Sequence, residues 1–316
     1  MRKPVHVYRG DEIARYGFGD PHPFGTDRHA AFFAELDRAD LGEQIHFAHP
    51  RRASVDELLL FHTPDYIDHV SRLSELGEGF LDDGDTPAVN GIFEAASDVV
   101  GSVLSAADSI MHERTSRAFI PIAGLHHAAR NAAAGFCVFN DCGVAAEYLR
   151  SKYGLQRIAY IDIDAHHGDG VYFGFEEDPD LLFADIHEDG RFLYPGTGAA
   201  TETGKGRALG TKLNIPLESG AGDADFMAVW PQVETYLEEG RPEFILFQCG
   251  ADSLAGDPIT HLRFSEEAHA TAAAALCRIA DRHCAGRIIG MGGGGYNRQN
   301  LARAWTRVVE SFVRTG

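Results

Sequence analysis

The stretch Ile158–Gly170, IAYIDIDAHHGDG, begins as an apolar β-strand and ends in three aspartates and two adjacent histidines. Unpaired carboxylates are costly to bury, so Asp162 and Asp164 need partners that offset the cost. Residues two apart on an extended strand share a face. Asp162, Asp164 and His166 would therefore project the same way for as long as the strand persists. Two carboxylates and an imidazole on one face suit a divalent cation: zinc, and also manganese or iron. A third ligand can come from Asp252 in QCGADSLAGDP, at the end of another apolar run. Three protein ligands with an open position describe a catalytic rather than a structural zinc site. A strand-end aspartate on its own is more often a helix cap or turn residue, so the reading rests on the cluster.

His126 and His127 form a second adjacent pair, in GLHHAARN. Such a pair is ordinarily two solvated or packed side chains. Here Asp162 and Asp169 are spare carboxylates nearby in the motif set. A His–Asp pair fixes the imidazole tautomer and raises its basicity. Two such pairs beside a metal would supply a general base and an electrostatic or acid partner. The run MGGGGYN places Gly292–Gly295 before Tyr296. It is not a dinucleotide fingerprint and lacks the Lys and Ser/Thr of a phosphate loop. A glycine run, Gly294 included, lets backbone approach a ligand closely. It would present the Tyr296 hydroxyl to a developing oxyanion; the alternative is a flexible turn with a packed tyrosine.

These residues need elements to position them. Apolar runs mark strands at Val5–Tyr8, Ile45–Ala48, Ala118–Ile122, Arg157–Ile163, Leu181–Ile186, Lys212–Pro216, Phe244–Gln248 and Arg287–Gly290. Helical spacing marks Gly91–Ile110, Asp141–Tyr153, Ala224–Glu239, Ser265–His283 and Arg298–Val313. Ser54–Glu57 reads as a capping box, and Pro64 as a first helical turn. Alternating strands and helices imply an α/β fold, a mostly parallel central sheet with helices on both faces. Each polar cluster follows a strand directly, and in open α/β sheets ligands bind beyond the carboxyl ends of the strands. Five loops are therefore expected to converge.

The bulk composition fits. The chain has 316 residues, 44% hydrophobic and 24% charged, with a formal charge of −19. Such a surface repels nucleic acid and suits cationic partners; the plainer reading is an acidic solvated surface. Five cysteines without a CxxC pair read as free thiols in a reducing compartment. No signal-like start and no 18-residue apolar run are present, so a cytoplasmic protein with no membrane segment is expected. No linker or fixed-period repeat divides the chain, and 1–316 reads as one catalytic domain. A homo-oligomer is left open.

The motifs HPFGTDR (His22–Arg28), HHA…GFCVFND, DIDAHHGDGV, PGTG, GADSLAGDP, GGGGYN and ARAWT (Ala302–Thr306) together resemble the zinc-dependent histone deacetylase superfamily. That group includes bacterial acetoin-utilization deacetylases and acetylpolyamine amidohydrolases. The resemblance spans most of the chain and implies an arginase/deacetylase fold with one catalytic zinc on Asp164, His166 and Asp252. It implies tandem catalytic histidines, His126 linked to Asp162 and His127 linked to Asp169, with His127 the general base and acid. Tyr296 would stabilise the oxyanion. Gly135, Phe136 and Tyr194 would line a tunnel for the acylated chain, with Tyr194 where Phe is common. Asp85 would grip substrate backbone amides at the rim. Arg28 would lie near an internal cavity below the zinc. A potassium ion is implied beside Asp162, Asp164, His166, Asp185 and Ile186. Asp185 stands where Ser is common, and its extra carboxylate would strengthen that site or change its ion preference. His167 would be structural.

The implied reaction is removal of acetyl or short acyl groups from lysine side chains of proteins or peptides; the alternative substrate is an acetylpolyamine or another small amide. Ile259 occupies a rim position where a polyamine-selective branch carries Glu, which favours acyl-lysine, whereas the acidic surface favours polyamines. An arginase-like two-metal enzyme would need more bridging carboxylates. A non-catalytic relative would be expected to have lost a ligand, His127 or Tyr296, and all are present.

Overall fold

A computed structural model describes residues 3–315. Eight strands form one sheet: β1 Val5–Tyr8, β2 Ile45–Ala48, β3 Arg117–Ile120, β4 Ile158–Asp162, β5 Leu181–Glu188, β6 Lys212–Leu217, β7 Phe244–Gln248 and β8 Ile288–Met291. Their spatial order is β2-β1-β3-β8-β7-β4-β5-β6, and every pairing is parallel. All eight lie within a residue or two of the apolar runs. Strands buried on both faces are almost continuously apolar, which is why they are visible in sequence. The expectation of a mostly parallel sheet becomes wholly parallel among the described strands. β5 runs two residues past Ile186, bringing His187 and Glu188 into the sheet, and β4 stops at Asp162.

The helices are α1 Asp11–Ala14, α2 Asp27–Arg38, α3 Val55–Leu58, α4 Pro64–Leu76, α5 Ile92–Met111, α6 Asp141–Tyr153, α7 Asp169–Gly174, α8 Asp223–Gly240, α9 Glu266–His283 and α10 Arg298–Arg314. Side chains alternate across the sheet. Phe244 and Leu246 of β7 join the core beneath α4, α5 and α6, while Ile245 and Phe247 join the core beneath α2, α8, α9 and α10. The Ser54 capping box forms: Ser54 Oγ accepts from Glu57 N at 3.2 Å and the Glu57 carboxylate accepts from Ser54 N at 2.8 Å. It starts a single-turn helix. Pro64 opens α4. Sequence spacing missed α2 and α7. The start of α2 at Thr26 makes no side-chain cap bond, and α7 carries Gly170 and Gly174, which weaken a helical signal. Among the described residues no helix is long and apolar enough to cross a membrane. All five cysteines are buried.

The strands preceding the five polar loops, β3, β8, β7, β4 and β5, are consecutive neighbours in the sheet. Parallel pairing puts all five carboxyl ends on one edge, so loops far apart in sequence meet there.

Candidate active site

Beyond β4, successive carboxylates shape the chain. Asp162 Oδ1 accepts the amide of Asp164, and Asp164 Oδ1 accepts the amide of His166, each at 3.0 Å. These i to i+2 turns replace the extended alternation expected past Asp162, yet they still bring Asp164 and His166 together. Asp252 arrives from the turn after β7. Ligand atoms of Asp164, His166 and Asp252 lie within 4.8 Å of one another, and all three residues are buried. His166 Nδ1 stands 3.0 Å from Asp164 Oδ1 and 3.2 Å from Asp252 Oδ2. The outer atoms are already engaged: Asp164 Oδ2 accepts from Gln248 Nε2 and Gly294 N, and Asp252 Oδ1 from Ala165 N, each at 2.9 Å. Asp252 Oδ2 is buried, and among the described residues nothing reaches it apart from His166 Nδ1 at 3.2 Å, which is not aligned as a donor.

This cluster fits a divalent cation. Burial, with the Asp164 charge, pushes the Asp252 carboxyl up to about 7. Burial lowers His166, but its hydrogen bond to Asp164 and the two carboxylate charges outweigh it and lift the imidazole to about 10. A cation among the three inner atoms would satisfy the orphaned oxygen and ionise Asp252. Gly294 keeps the space open: a Cβ there would sit 2.0 Å from Asp252 Oδ2 and 2.9 Å from Asp164 Oδ2. Among the described residues this is the one cluster of three such donors.

His126 and His127 lie against it. His126 Nδ1 is 2.7 Å from Asp162 Oδ2, His127 Nδ1 is 2.6 Å from Asp169 Oδ1, and the two Nε2 atoms are 3.2 Å apart. That last contact accommodates one proton. Burial opposes charge on both rings. Asp162 and Asp164 overcome it at His126, which rises to about 10. At His127 burial and the neighbouring His126 prevail over Asp169, and it falls to about 4. The two imidazoles are therefore pushed in opposite directions, His126 toward the charged form and His127 toward the neutral one.

The loop carrying them is pinned by residues that motif reading passed over. Asp141, the first residue of α6, accepts from Gly124 N and Leu125 N at 2.9 Å. Asn140 Nδ2 donates to the carbonyls of His126 at 3.2 Å and Ala128 at 2.8 Å. Gln248 bridges Asp164 and the Gly124 carbonyl. The adjacent ND dipeptide was visible, but it reads as an ordinary helix cap, which Asn140 also is.

Other expected residues pack against the tandem histidines and Tyr296. Gly135 has φ +53°, and a Cβ there would lie 2.5 Å from His127 Cδ2 and 3.1 Å from Tyr194 Cε1. The Tyr194 ring is 5.2 Å from that of His127, and Phe136 is 5.8 Å from Tyr296. Burial, with Asp252 adding to it, holds the Tyr296 hydroxyl well above its ordinary pKa, so it remains a donor. A cavity of about 310 Å³ beside Tyr194 is lined by Asp82, Asp83, Gly84, Asp85, Ala133 and Ala134. Burial, with Asp82, raises the Asp85 carboxyl to about 6. Ile259 is half-buried, its N–H donating to Asp257. Arg28 is fully buried and donates to the carbonyls of Gly295 at 2.9 Å and Gly293 at 2.6 Å, beneath the glycine run.

Asp185 pairs in register with Asp162, but its oxygens are engaged within the chain. One accepts from Gly168 N at 2.8 Å and the other lies 2.7 Å from His187 Nδ1. His187 Nε2 faces the Gly198 carbonyl at 2.9 Å. Both ring nitrogens thus meet acceptors. Burial disfavours charge there, but Asp185 outweighs it and raises the imidazole pKa. His167 is buried, with Nδ1 at 2.8 Å from Thr197 Oγ1.

Residues 22–312 match the family model of the histone deacetylase domain. The acetoin utilization protein AcuC of Bacillus subtilis (strain 168) is 38% identical over 98% of this chain and 81% of its own length. The protein of that name from Staphylococcus xylosus is 35% identical over 99% and 83%. The crystal structure of the HDA15 HD domain superposes with a TM-score of 0.90, covering 98% of this chain and 90% of that one at 27% identity. The sheet, its edge cluster and these likenesses agree: the chain belongs to the histone deacetylase family.

Proposed function

We propose that this chain is a zinc-dependent amidohydrolase that removes acetyl or other short acyl groups from acylated lysine side chains, with residues 1–316 forming one catalytic domain. One observation carries the reading: a buried Asp–His–Asp cluster with an orphaned carboxylate oxygen sits beside two histidines, each backed by its own aspartate. Asp164, His166 and Asp252 would hold the zinc, which when bound supplies Lewis-acid polarisation of the amide carbonyl and a more acidic hydrolytic water.

The other roles belong to the chain's own side chains. His127 is the general base. Its Nδ1 is committed to Asp169, so proton exchange falls to Nε2, which must turn from its 3.2 Å contact with His126 Nε2 to take a proton from the attacking water and return it to the leaving amine. His126, linked to Asp162, is the electrostatic partner. Tyr296 donates its hydroxyl hydrogen to the oxyanion. Gly135, Phe136 and Tyr194 wall the acyl-lysine tunnel, Asp85 receives substrate amides at the rim, and Ile259 flanks it. A potassium ion near Asp162, Asp164, His166, Asp185 and Ile186 is a secondary proposal. The lack of any CxxC pair among the five cysteines supports a cytoplasmic setting.

Incubation with acetyl-lysine peptides, with and without a zinc chelator, tests the reading. Chelator-sensitive release of acetate is expected, and its absence would sink the proposal. The carboxylates of Asp82, Asp83 and Asp85 around the mouth cavity favour a second reading, a cationic acetylpolyamine as substrate. Direct competition between N-acetylputrescine and a peptide separates the two by their relative kcat/KM.

A further inference from the structure

Tyr296 reaches the site from conformationally permissive backbone. Four glycines precede it, and two of them have positive φ, Gly293 at 67° and Gly295 at 123°. Ring packing against Phe136 and Phe24, with centroids at 5.8 and 6.3 Å, limits tilt but leaves the backbone height undetermined. The hydrogen bonds supply that. Arg28 takes the carbonyls of Gly293 and Gly295. The N–H side is taken by a residue without a role so far. Asp257 is buried, and its Oδ2 accepts from Tyr296 N at 2.8 Å and more weakly from Asn297 N at 3.4 Å. Its Oδ1 accepts from Ile259 N at 3.1 Å.

The same two segments are stapled twice more: Asn297 Nδ2 donates to the Gly256 carbonyl at 3.2 Å, and Asn300 Nδ2 to the Ala255 carbonyl at 3.0 Å. Asp257 lies five residues after Asp252, within the same loop. One carboxylate therefore ties Tyr296 to the loop that carries a metal-type ligand, and holds the Ile259 N–H as well. Charge-assisted bonds of this kind are short and directional, and a displacement of about 1 Å at a reacting group costs on the order of 10²-fold in rate.

We infer that Asp257 is a positioning residue for deacylation, setting the Tyr296 hydroxyl relative to the Asp164–His166–Asp252 cluster through the Tyr296 backbone N–H. This rests on the reading of Tyr296 as the oxyanion donor. A residue that only stabilised the loop would act independently of the phenol, so a double-mutant cycle separates the two roles.

The experiment measures kcat and KM on an acetyl-lysine peptide for the zinc-loaded enzyme and for Asp257→Ala, Tyr296→Phe and the double variant. Asp257→Ala is expected to lower kcat about tenfold, with KM within about threefold and full zinc content retained. Tyr296→Phe is expected to lower kcat about 10²-fold, and Asp257→Ala added to it to cost less than about threefold more. The inference is overturned if Asp257→Ala leaves kcat within threefold of the parent, or if the two losses multiply in the double variant. A Tyr296→Phe enzyme with nearly full kcat would instead remove the oxyanion assignment, and this inference with it. Should Asp257→Ala not fold, Asp257→Asn keeps the shape and one acceptor oxygen and enters the same cycle.

Discussion

Two buried histidine–aspartate arrangements lie on neighbouring strand ends and do different things. On β5, Asp185 and His187 satisfy each other, and their outer atoms are closed off by Gly168 N and the Gly198 carbonyl. Around β4, the same residue types are left incomplete. Asp252 Oδ2 has no well-aligned donor, and His126 and His127 share one Nε2···Nε2 contact beside it. Residue type and burial are nearly the same, and Asp162 and Asp185 even face each other in register. What separates the proposed reactive centre from a structural ion pair is unspent hydrogen-bonding capacity. Within the motif DAHHGDG the contrast repeats: His166 faces the donor cluster, and His167 packs against Thr197.

The largest effect that could break this contrast is at His127. His127→Ala removes the proposed base without touching Asp164, His166 or Asp252. Turnover is expected to fall on the order of 10²–10⁴-fold, with bound zinc unchanged by elemental analysis. Activity surviving within about tenfold would move the base elsewhere and dissolve the distinction drawn for the tandem pair.

The sealed pair should respond in the opposite way. His187→Ala strands Asp185 in the sheet with one remaining donor, Gly168 N. Breaking a buried ion pair from one side costs about 3 kcal/mol, read as a lower midpoint in denaturant unfolding. Turnover per folded molecule should fall far less than in His127→Ala. A variant as stable as the parent but devoid of turnover would place Asp185–His187 in the catalytic apparatus.

Much of this was legible in the chain. The strands showed because parallel strands covered on both faces are apolar throughout. Asp162, Asp164, His166 and Asp252 showed because carboxylates at the ends of such strands conflict with burial unless something holds them. The partners of the histidines showed only as spare carboxylates. Asn140, Asp141, Gln248 and Asp257 did not stand out, because a cap or turn residue looks the same whether it holds its own helix or another loop. Gln248 meets Gly124 from 124 residues away, and Asp257 meets Tyr296 from 39. Those distances close only when the sheet order is known. Asp185 was visible as a departure from the family pattern. Its pairing with His187 was not, since it depends on β5 continuing to Glu188.

His62 sharpens the comparison by its lack of a carboxylate. It is buried beneath the loop that carries His126 and His127, where Nε2 accepts from Asn140 N at 2.9 Å and Nδ1 donates to the Arg130 carbonyl at 3.3 Å. Its ring contacts are with Phe61, Tyr66 and Phe139, and the neighbouring charge, Arg130, is positive. Burial outweighs the hydrogen bonds to the Arg130 and Ala129 backbone, and with a smaller push from the Arg130 charge lowers its pKa from 6.5 to about 3, opposite to His187. The folded state therefore keeps His62 neutral where the unfolded chain binds a proton. Between roughly pH 3 and 6.5 the unfolded state holds more protons at this site, so stability rises with pH across that window and is lost on acidification. At pH 5 the loss is about 2 kcal/mol from His62, at about 1.4 kcal/mol per pH unit below 6.5. Unfolding free energies measured from pH 7 to 5 should show this slope, and His62→Gln should reduce it by close to one proton. An unchanged slope would mean that His62 is charged in the fold, and that burial without a carboxylate does not decide the state of a histidine in this protein.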